Sequence, residues 1–273
     1  MQGASEPRTA SQTAVSAAKT RAYHYAFDDE PKILADSIAR RLLTPDEAPI
    51  LARDGDAKSR ASVVLRSRYA EERLEAAVAR GVEQYILLGA GLDSFAYRQP
   101  SWASGLKIIE IDQPGSQADK RRRVIEAGIT PPANLQYAPI DFEKMTLREG
   151  LLANGVDLTR PTFMSCLGVL IYLTAEAVDA IFELVAELPK GSEIAFSYYS
   201  RSGVPEGFFE SVAKLNEPFL TFFEPEELAR DLKARGFGEV ELLSREAQRR
   251  YFRGRADGLD SPPWFQMAAA VVG

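Results

Sequence analysis

The chain has one cysteine, Cys166, and one histidine, His24, among its 273 residues. A single thiol excludes an intrachain disulfide and any multi-cysteine metal site. A single imidazole leaves a Ser-His-Asp triad or a multi-histidine metal centre dependent on one residue, so no metal is expected. No apolar run approaches the roughly 18–20 residues that a bilayer span requires. The start, MQGASEPRTASQTAVSAAKT, lacks an apolar signal-peptide core, so the expectation is a cytoplasmic protein without a membrane partner. Positive charge is also in short supply. With 33 Lys and Arg against 39 Asp and Glu the formal charge is −6, which gives no support to a nucleic-acid partner. The short run Arg121-Arg122-Arg123 is expected to solvate one helix face.

What is present suits one large soluble α/β domain over residues 1–273. Residues 1–13 are small and polar and are expected to be disordered; residues 14–80 form an N-terminal helical extension, and residues 81–273 the α/β core. Helical pattern runs through 14–26, 31–43 and 58–80, the last with Val64, Leu65, Tyr69, Leu74, Ala77 and Val78 on one face. Strands are expected at 85–88, 108–111, 135–140, 162–167 and 193–199, with helices at 113–127 and 175–188 among them. That alternation implies a parallel sheet covered on both faces. An insertion rich in Gly, Pro and aromatics follows at 200–223, and a helix at 224–235 is stopped by Gly236. Two closing strands, 239–243 and 265–272, have little helix between them, which suggests an antiparallel pair at the sheet edge.

The most informative stretch is Tyr85 to Ser94, an apolar run ending in Gly89-Ala90-Gly91, with Asp112 closing the next apolar run some twenty residues on. A tight glycine turn after the first strand and an acid after the second are how an α/β domain holds a nucleotide-like cofactor. A dinucleotide fingerprint would place a third Gly or Ala where Ser94 stands, and Asp93 would put negative charge where a pyrophosphate must sit. The alternative is a glycine-rich turn that binds nothing.

Seven segments, RSRYAEERL, YILLGAGLDSFAYR, IIEIDQP, APIDFE, CLGVLIYLT, FLTFFEPEELARDLKARGFGEVE and YFRGRADGL, together resemble the leucine carboxyl methyltransferase-like family of class I S-adenosylmethionine-dependent methyltransferases. The likeness spans about residues 14–273 and lies in the ordered set rather than in any one motif. It implies a Rossmann-like seven-stranded sheet of order 3-2-1-4-5-7-6 with strand 7 antiparallel, and S-adenosyl-L-methionine as cofactor. It further implies that Gly89, Ala90 and Gly91 line the methionine part of the cofactor, that Asp112 grips the ribose, and that Asp141 with Phe142 holds the adenine edge. Arg66 falls where the family places an arginine on the cofactor carboxylate, with Arg68 as the runner-up two residues on. Lys19 matches a second cationic contact, and Tyr172 also matches. One position departs: eukaryotic members have a glutamate where Leu167 stands, so their protein substrate, a phosphatase tail, does not carry over.

The same residues make chemical sense for a sulfonium cation with a zwitterionic tail. Arg66 suits the carboxylate, Asp112 the ribose diol and Asp141 the adenine amino group. Arg66 or Arg68 could instead be solvated on a helix, and Asp141 could cap a turn. Methyl transfer from an activated donor needs mainly alignment. A carboxylate acceptor is ionised at pH 7 and needs no base, whereas a hydroxyl usually does. One histidine therefore favours a carboxyl acceptor on a small organic molecule, with a hydroxyl of a polyketide-like secondary metabolite second. No catalytic residue is assigned; His24 is the base candidate, against a surface or packing role. Acceptor selection is expected from the N-terminal helices and a lid-like segment containing Tyr198, Tyr199, Phe208, Phe209, Phe219, Phe222 and Phe223. Arg201, Arg253 and Arg255 are candidates for an acceptor carboxylate. Cys166 is expected to be a small buried hydrophobe. A catalytically silent cofactor-binding subunit is the alternative from a different functional class.

Overall fold

All five residues of β1 (Gln84–Leu88) are buried, as befits a strand covered on both faces at the centre of a sheet. A computed structural model, describing residues 12–48, 57–205 and 219–273, places it there. β1 pairs in parallel with β2 (Lys107–Asp112) on one side and β4 (Thr162–Cys166) on the other. β3 (Leu135–Pro139) and β5 (Glu193–Tyr199) extend the sheet in parallel. β7 (Phe265–Val272) pairs antiparallel with β5 and with the edge strand β6 (Phe237–Leu242). The order β3-β2-β1-β4-β5-β7-β6 is the one the family resemblance implied.

Alternate residues feed two cores. Ile86 and Leu88 join Ile109, Ile111, Met164 and Phe196 on one face. There they meet α4 (Leu147–Ala153), α5 (Ala175–Ala186) and α6 (Pro225–Ala234) through Leu151, Phe182 and Leu232. Tyr85 and Leu87 point the other way and meet α2 (Ala57–Ala79) through Leu65, Tyr69, Leu74 and Ala77. α3 (Pro114–Glu126) connects β2 to β3. α1 (Gln12–Phe27) packs with residues 39–43 and Leu92 through Ala18 and Ala22. α7 (Arg245–Arg249) lies between β6 and β7.

Two local expectations change. The helix expected over 31–43 shrinks to one 3-10 turn, Ala39–Leu42. Side chains have taken the backbone donors: His24 Nε2 accepts from Ile33 and Leu34, and Asp36 Oδ1 from Ile38 and Ala39. A segment whose N–H groups are spent this way has none left for an α-helical ladder. α4 is one of the helices that the strand alternation implied, and Thr146 and Glu149 form a reciprocal capping box ahead of it. α1 begins at Gln12, inside the stretch expected to be disordered. Among the described residues no helix is long and apolar enough to cross a membrane, and no cluster of three metal-ligating side chains is found.

Candidate functional site

β1 lies between β2 and β4, the point at which the strand order reverses, and beyond the C-terminal strand ends at such a point open α/β sheets bind their ligands. Gly89 (φ +69°) and Gly91 (φ +47°) make the turn after β1, a backbone conformation that side-chain-bearing residues rarely adopt. Their missing Cβ atoms also serve packing within the protein. A Cβ at Gly89 would lie 2.5 Å from Val169 Cγ2, and one at Gly91 would lie 3.1 Å from Ala14 Cβ on α1. Ala90 N donates to the Ile111 carbonyl, which joins this turn to β2.

Asp112 ends β2 with its carboxylate drawn back over that turn. Its Oδ2 accepts from Gly91 N at 2.5 Å and its Oδ1 from Gln113 N at 2.7 Å. Burial pushes its pKa up, against the pull of these two amides and of Lys120. Asp112 also accepts from Ile140 N through its backbone carbonyl, which brings Asp141 alongside. Asp141 accepts from Glu143 N at 3.1 Å and pairs with Lys144 at 2.7 Å, while Phe142 is exposed. Asp141 thus caps its own turn, as the plainer alternative held, and remains partly open beside the exposed ring.

The two arginine candidates part company. Arg68 is exposed and paired with Glu72 at 2.8 Å. Arg66 points its guanidinium at Gly168, just past β4; a Cβ there would lie 2.1 Å from Nη1. Gly168 is fixed in turn by donating its N–H to Ser197 Oγ at 2.7 Å. Burial pulls the Arg66 pKa down, as does Arg21 nearby, while Tyr199, Tyr172 and Asp93 act the other way. Among the described residues Arg66 makes no hydrogen bond or ion pair. A desolvated guanidinium that cannot give up its proton is completed by an anion. Leu167, the departed glutamate position, is partly buried against the α2 side of the sheet. Lys19 lies on α1, partly buried, also without an ion pair among the described residues.

His24 is fully buried. Its Nε2 accepts from the Ile33 and Leu34 amides, which puts the proton on Nδ1, donated to Asp28 at 2.8 Å. Neither nitrogen is free for a substrate proton. Cys166 is buried, its thiol pushed up to about 12 by desolvation. Tyr198 is buried in the core beside Phe196 and Phe223. Its neighbour Tyr199 faces the other way, against Phe219 and Phe265. Tyr172 also meets Phe219, at a centroid distance of 5.5 Å. Arg201 stacks 4.7 Å above Phe222. Arg253 is exposed, and Arg255 is spent on Asp257 and the carbonyls of Asp29 and Pro31. Phe208 and Phe209 lie outside the described residues.

Sequence reasoning passed over Gly168, which seats Arg66, and Arg21, Asp36 and Arg98, which surround the turn after Gly91. Gly168 comes two residues after the end of a buried strand, and a glycine there was the available signal. An anion-seeking arginine, a carboxylate over a glycine turn and an acid beside an exposed ring suit the carboxylate, ribose and adenine of S-adenosylmethionine.

The family model for leucine carboxyl methyltransferase matches residues 14–186. YktD of Bacillus subtilis (strain 168), provisionally named as an S-adenosyl-L-methionine-dependent methyltransferase, is 29% identical over 288 residues, covering 92% of this chain and 94% of its own. Among solved structures, a protein from Thermobifida fusca YX provisionally described as a methyltransferase superposes with a TM-score of 0.57 at 17% identity, 94% of each chain being covered. Magnesium protoporphyrin IX methyltransferase from Synechocystis PCC 6803, solved with bound S-adenosylhomocysteine, gives 0.51 at 13% identity over 94% of this chain and all of its own. Those two structural likenesses speak for the fold. The family match places the chain in the leucine carboxyl methyltransferase family, as an S-adenosylmethionine-dependent methyltransferase.

Proposed function

We propose that this chain, working as one methyltransferase domain in the cytoplasm, methylates the carboxylate of a small planar organic acid. The observation that carries the reading is the state of His24, whose two nitrogens are both spent within the protein. The other ordinary candidates for a base are no better placed. Cys166 is buried and hard to ionise, and burial raises the phenols of Tyr198 and Tyr199. A carboxylic acid with an ordinary pKa near 4 arrives already ionised and needs only alignment.

In this reading Arg66, with Lys19 in support, holds the cofactor's carboxylate; Asp112 takes the ribose diol, and Asp141 with Phe142 the adenine. The bound cofactor supplies an electrophilic methyl group on a sulfonium centre. Gly89, Ala90 and Gly91 let the backbone pass close to the methionine part, and Leu167 and Tyr172 flank it. Tyr199, beside Phe219, offers an aromatic wall to a planar acceptor, with Arg201 on Phe222 as the nearest stacked cation. Arg253, exposed, could meet the acceptor only from the rim.

Incubation with methyl-labelled S-adenosylmethionine and a panel of aromatic acids and phenols tests this. A methyl ester, which releases its label as methanol in alkali, is the expected product. An alkali-stable ether would replace the carboxyl reading with the hydroxyl one. Tight binding of S-adenosylhomocysteine with no transfer to either class would point to a silent cofactor-binding subunit.

A further inference from the structure

A set of buried charges that plays no part in the reading above converges on Asp36. Its side chain has no exposed surface. Its Oδ2 accepts from Arg21 Nε at 2.8 Å and from Ser94 Oγ at 2.6 Å. Its Oδ1 accepts from Ile38 N at 3.1 Å and Ala39 N at 2.9 Å, and lies 3.6 Å from Arg98 Nε. Arg21 belongs to α1 and also donates to the Leu92 carbonyl at 2.6 Å. Arg98 donates to Ser94 Oγ and is gripped from the other side by Glu71 of α2. Three pieces of the N-terminal region are thereby tied to residues 92–98, the stretch that leaves Gly91. A second contact reaches the turn itself, since Ala14 occupies the space beside Gly91. Lys19 lies between Ala14 and Arg21 on the same helix.

An apolar contact would hold α1 in place with less desolvation, since each buried ion costs several kcal/mol before its partner compensates. A charged hub with every lone pair committed does something else: it tolerates one arrangement and comes apart as a unit. We propose that Asp36 is a positioning residue that latches α1 to the cofactor turn, so that docking of α1 and binding of S-adenosylmethionine are one coupled equilibrium. The proposal rests on the cofactor assignment made above. Coupling of this kind is reciprocal: whatever factor docked α1 adds to cofactor affinity, the cofactor adds to docking of α1.

Two readouts on the full chain test the latch, calorimetric titration with S-adenosylhomocysteine and amide hydrogen exchange across α1. In the parent, S-adenosylhomocysteine should slow exchange in α1. Asp36→Asn, nearly isosteric, should speed α1 exchange and raise the Kd about tenfold. Ser94→Ala removes one arm without stranding a cation and should raise it about threefold. A merely structural Asp36 would lower Tm and leave the Kd of the folded fraction unmoved. Should Asp36→Asn fail to fold, the parent's exchange and Ser94→Ala decide. Ligand that binds tightly but leaves α1 exchange unchanged, or folded variants within twofold of the parent, would overturn the latch alone. A parent that does not bind S-adenosylhomocysteine at all would overturn the cofactor assignment and the latch together.

Discussion

Gly168→Ala asks the most of the site with the smallest change. Gly168 sits at φ +71°, a left-handed conformation that costs an alanine about 1–2 kcal/mol. Urea unfolding should show a loss of that size. The new Cβ would also lie 2.1 Å from Arg66 Nη1 and 2.8 Å from its Cζ, closer than atoms can approach. Because these atoms are the far end of a flexible side chain, the guanidinium moves and the strand end stays. If that guanidinium holds the cofactor carboxylate, S-adenosylhomocysteine loses a charge-assisted hydrogen bond worth about 1.5–3 kcal/mol. That corresponds to roughly 10- to 150-fold in Kd. Methylthioadenosine has no amino-acid carboxylate and should bind variant and parent alike. Calorimetry with both ligands, well below the variant's Tm, separates the two contributions. Equal weakening of both would mean that the substitution reaches the nucleoside half, and no weakening of either would remove Arg66 from the carboxylate.

Arg66→Ala should show the same ligand selectivity while Arg68→Ala, exposed on Glu72, should not; the reverse pattern would move the site by two residues. Asp112→Ala should weaken S-adenosylhomocysteine and methylthioadenosine together by about 1–3 kcal/mol in calorimetry, since both carry the ribose; an unchanged Kd refutes the ribose role. The Glu110–Lys120 pair, at 2.7 Å and essentially without exposed surface, should respond as a buried ion pair does. Lys120→Met should cost about 3–5 kcal/mol in urea unfolding at pH 8, whereas Glu110→Leu with Lys120→Met should return close to the parent. Burial pushes the Glu110 carboxyl up to about 7 despite Lys120 beside it, and stability tied to a raised pKa is complete below the ordinary 4.5 and lost as pH rises through 7. Losing Lys120 raises that carboxyl further, so the Lys120→Met deficit should shrink as pH falls from 8 to about 7 and then level off; a deficit that does not change above pH 7 would refute this account. Asp36 behaves oppositely: burial raises its pKa, but Arg21, Arg98 and the Ser94 hydroxyl outweigh it and hold the carboxyl below the ordinary 3.8. Its stabilising effect is complete above that value and lost as pH falls through the lowered one, so the stability gap between parent and Asp36→Asn should narrow only below about pH 4.

The sheet was legible because its signals are local and mutually consistent. Short, largely apolar runs such as Tyr85 to Leu88 and Ile108 to Ile111, too brief for helices and rich in isoleucine, read as strands buried on both faces, and their spacing leaves room for crossover helices. The closing antiparallel pair followed from the short interval between its strands, since a parallel return needs a long crossover. The segment 31–43 failed for a non-local reason. Its apolar spacing suits a helix, but its amides are claimed by His24 on α1, and the Asp36 that turns the chain is itself held by Arg21 and Ser94. Periodicity carries no record of such partners.

The glycine turn and the acid after β2 were readable for the same local reason, whereas the charges that support them were not. A lone arginine or aspartate reads as solvated surface, because charged residues are rarely buried without a partner. Here the partners come from far along the chain: Arg21 meets Asp36, Arg60 meets Asp28, and Glu71 meets Arg98. Each pair joins an N-terminal element to another piece of chain, and each is costly to break singly, because the charge left behind stays buried. The same logic explains why Arg66 stands out only once the structure is known. It keeps similar company on α2 and is desolvated like the others, yet it meets no carboxylate among the described residues. Among the described residues Arg21, Arg60 and Arg98 each meet a carboxylate whereas Arg66 does not, and that contrast supports its proposed place on the cofactor carboxylate.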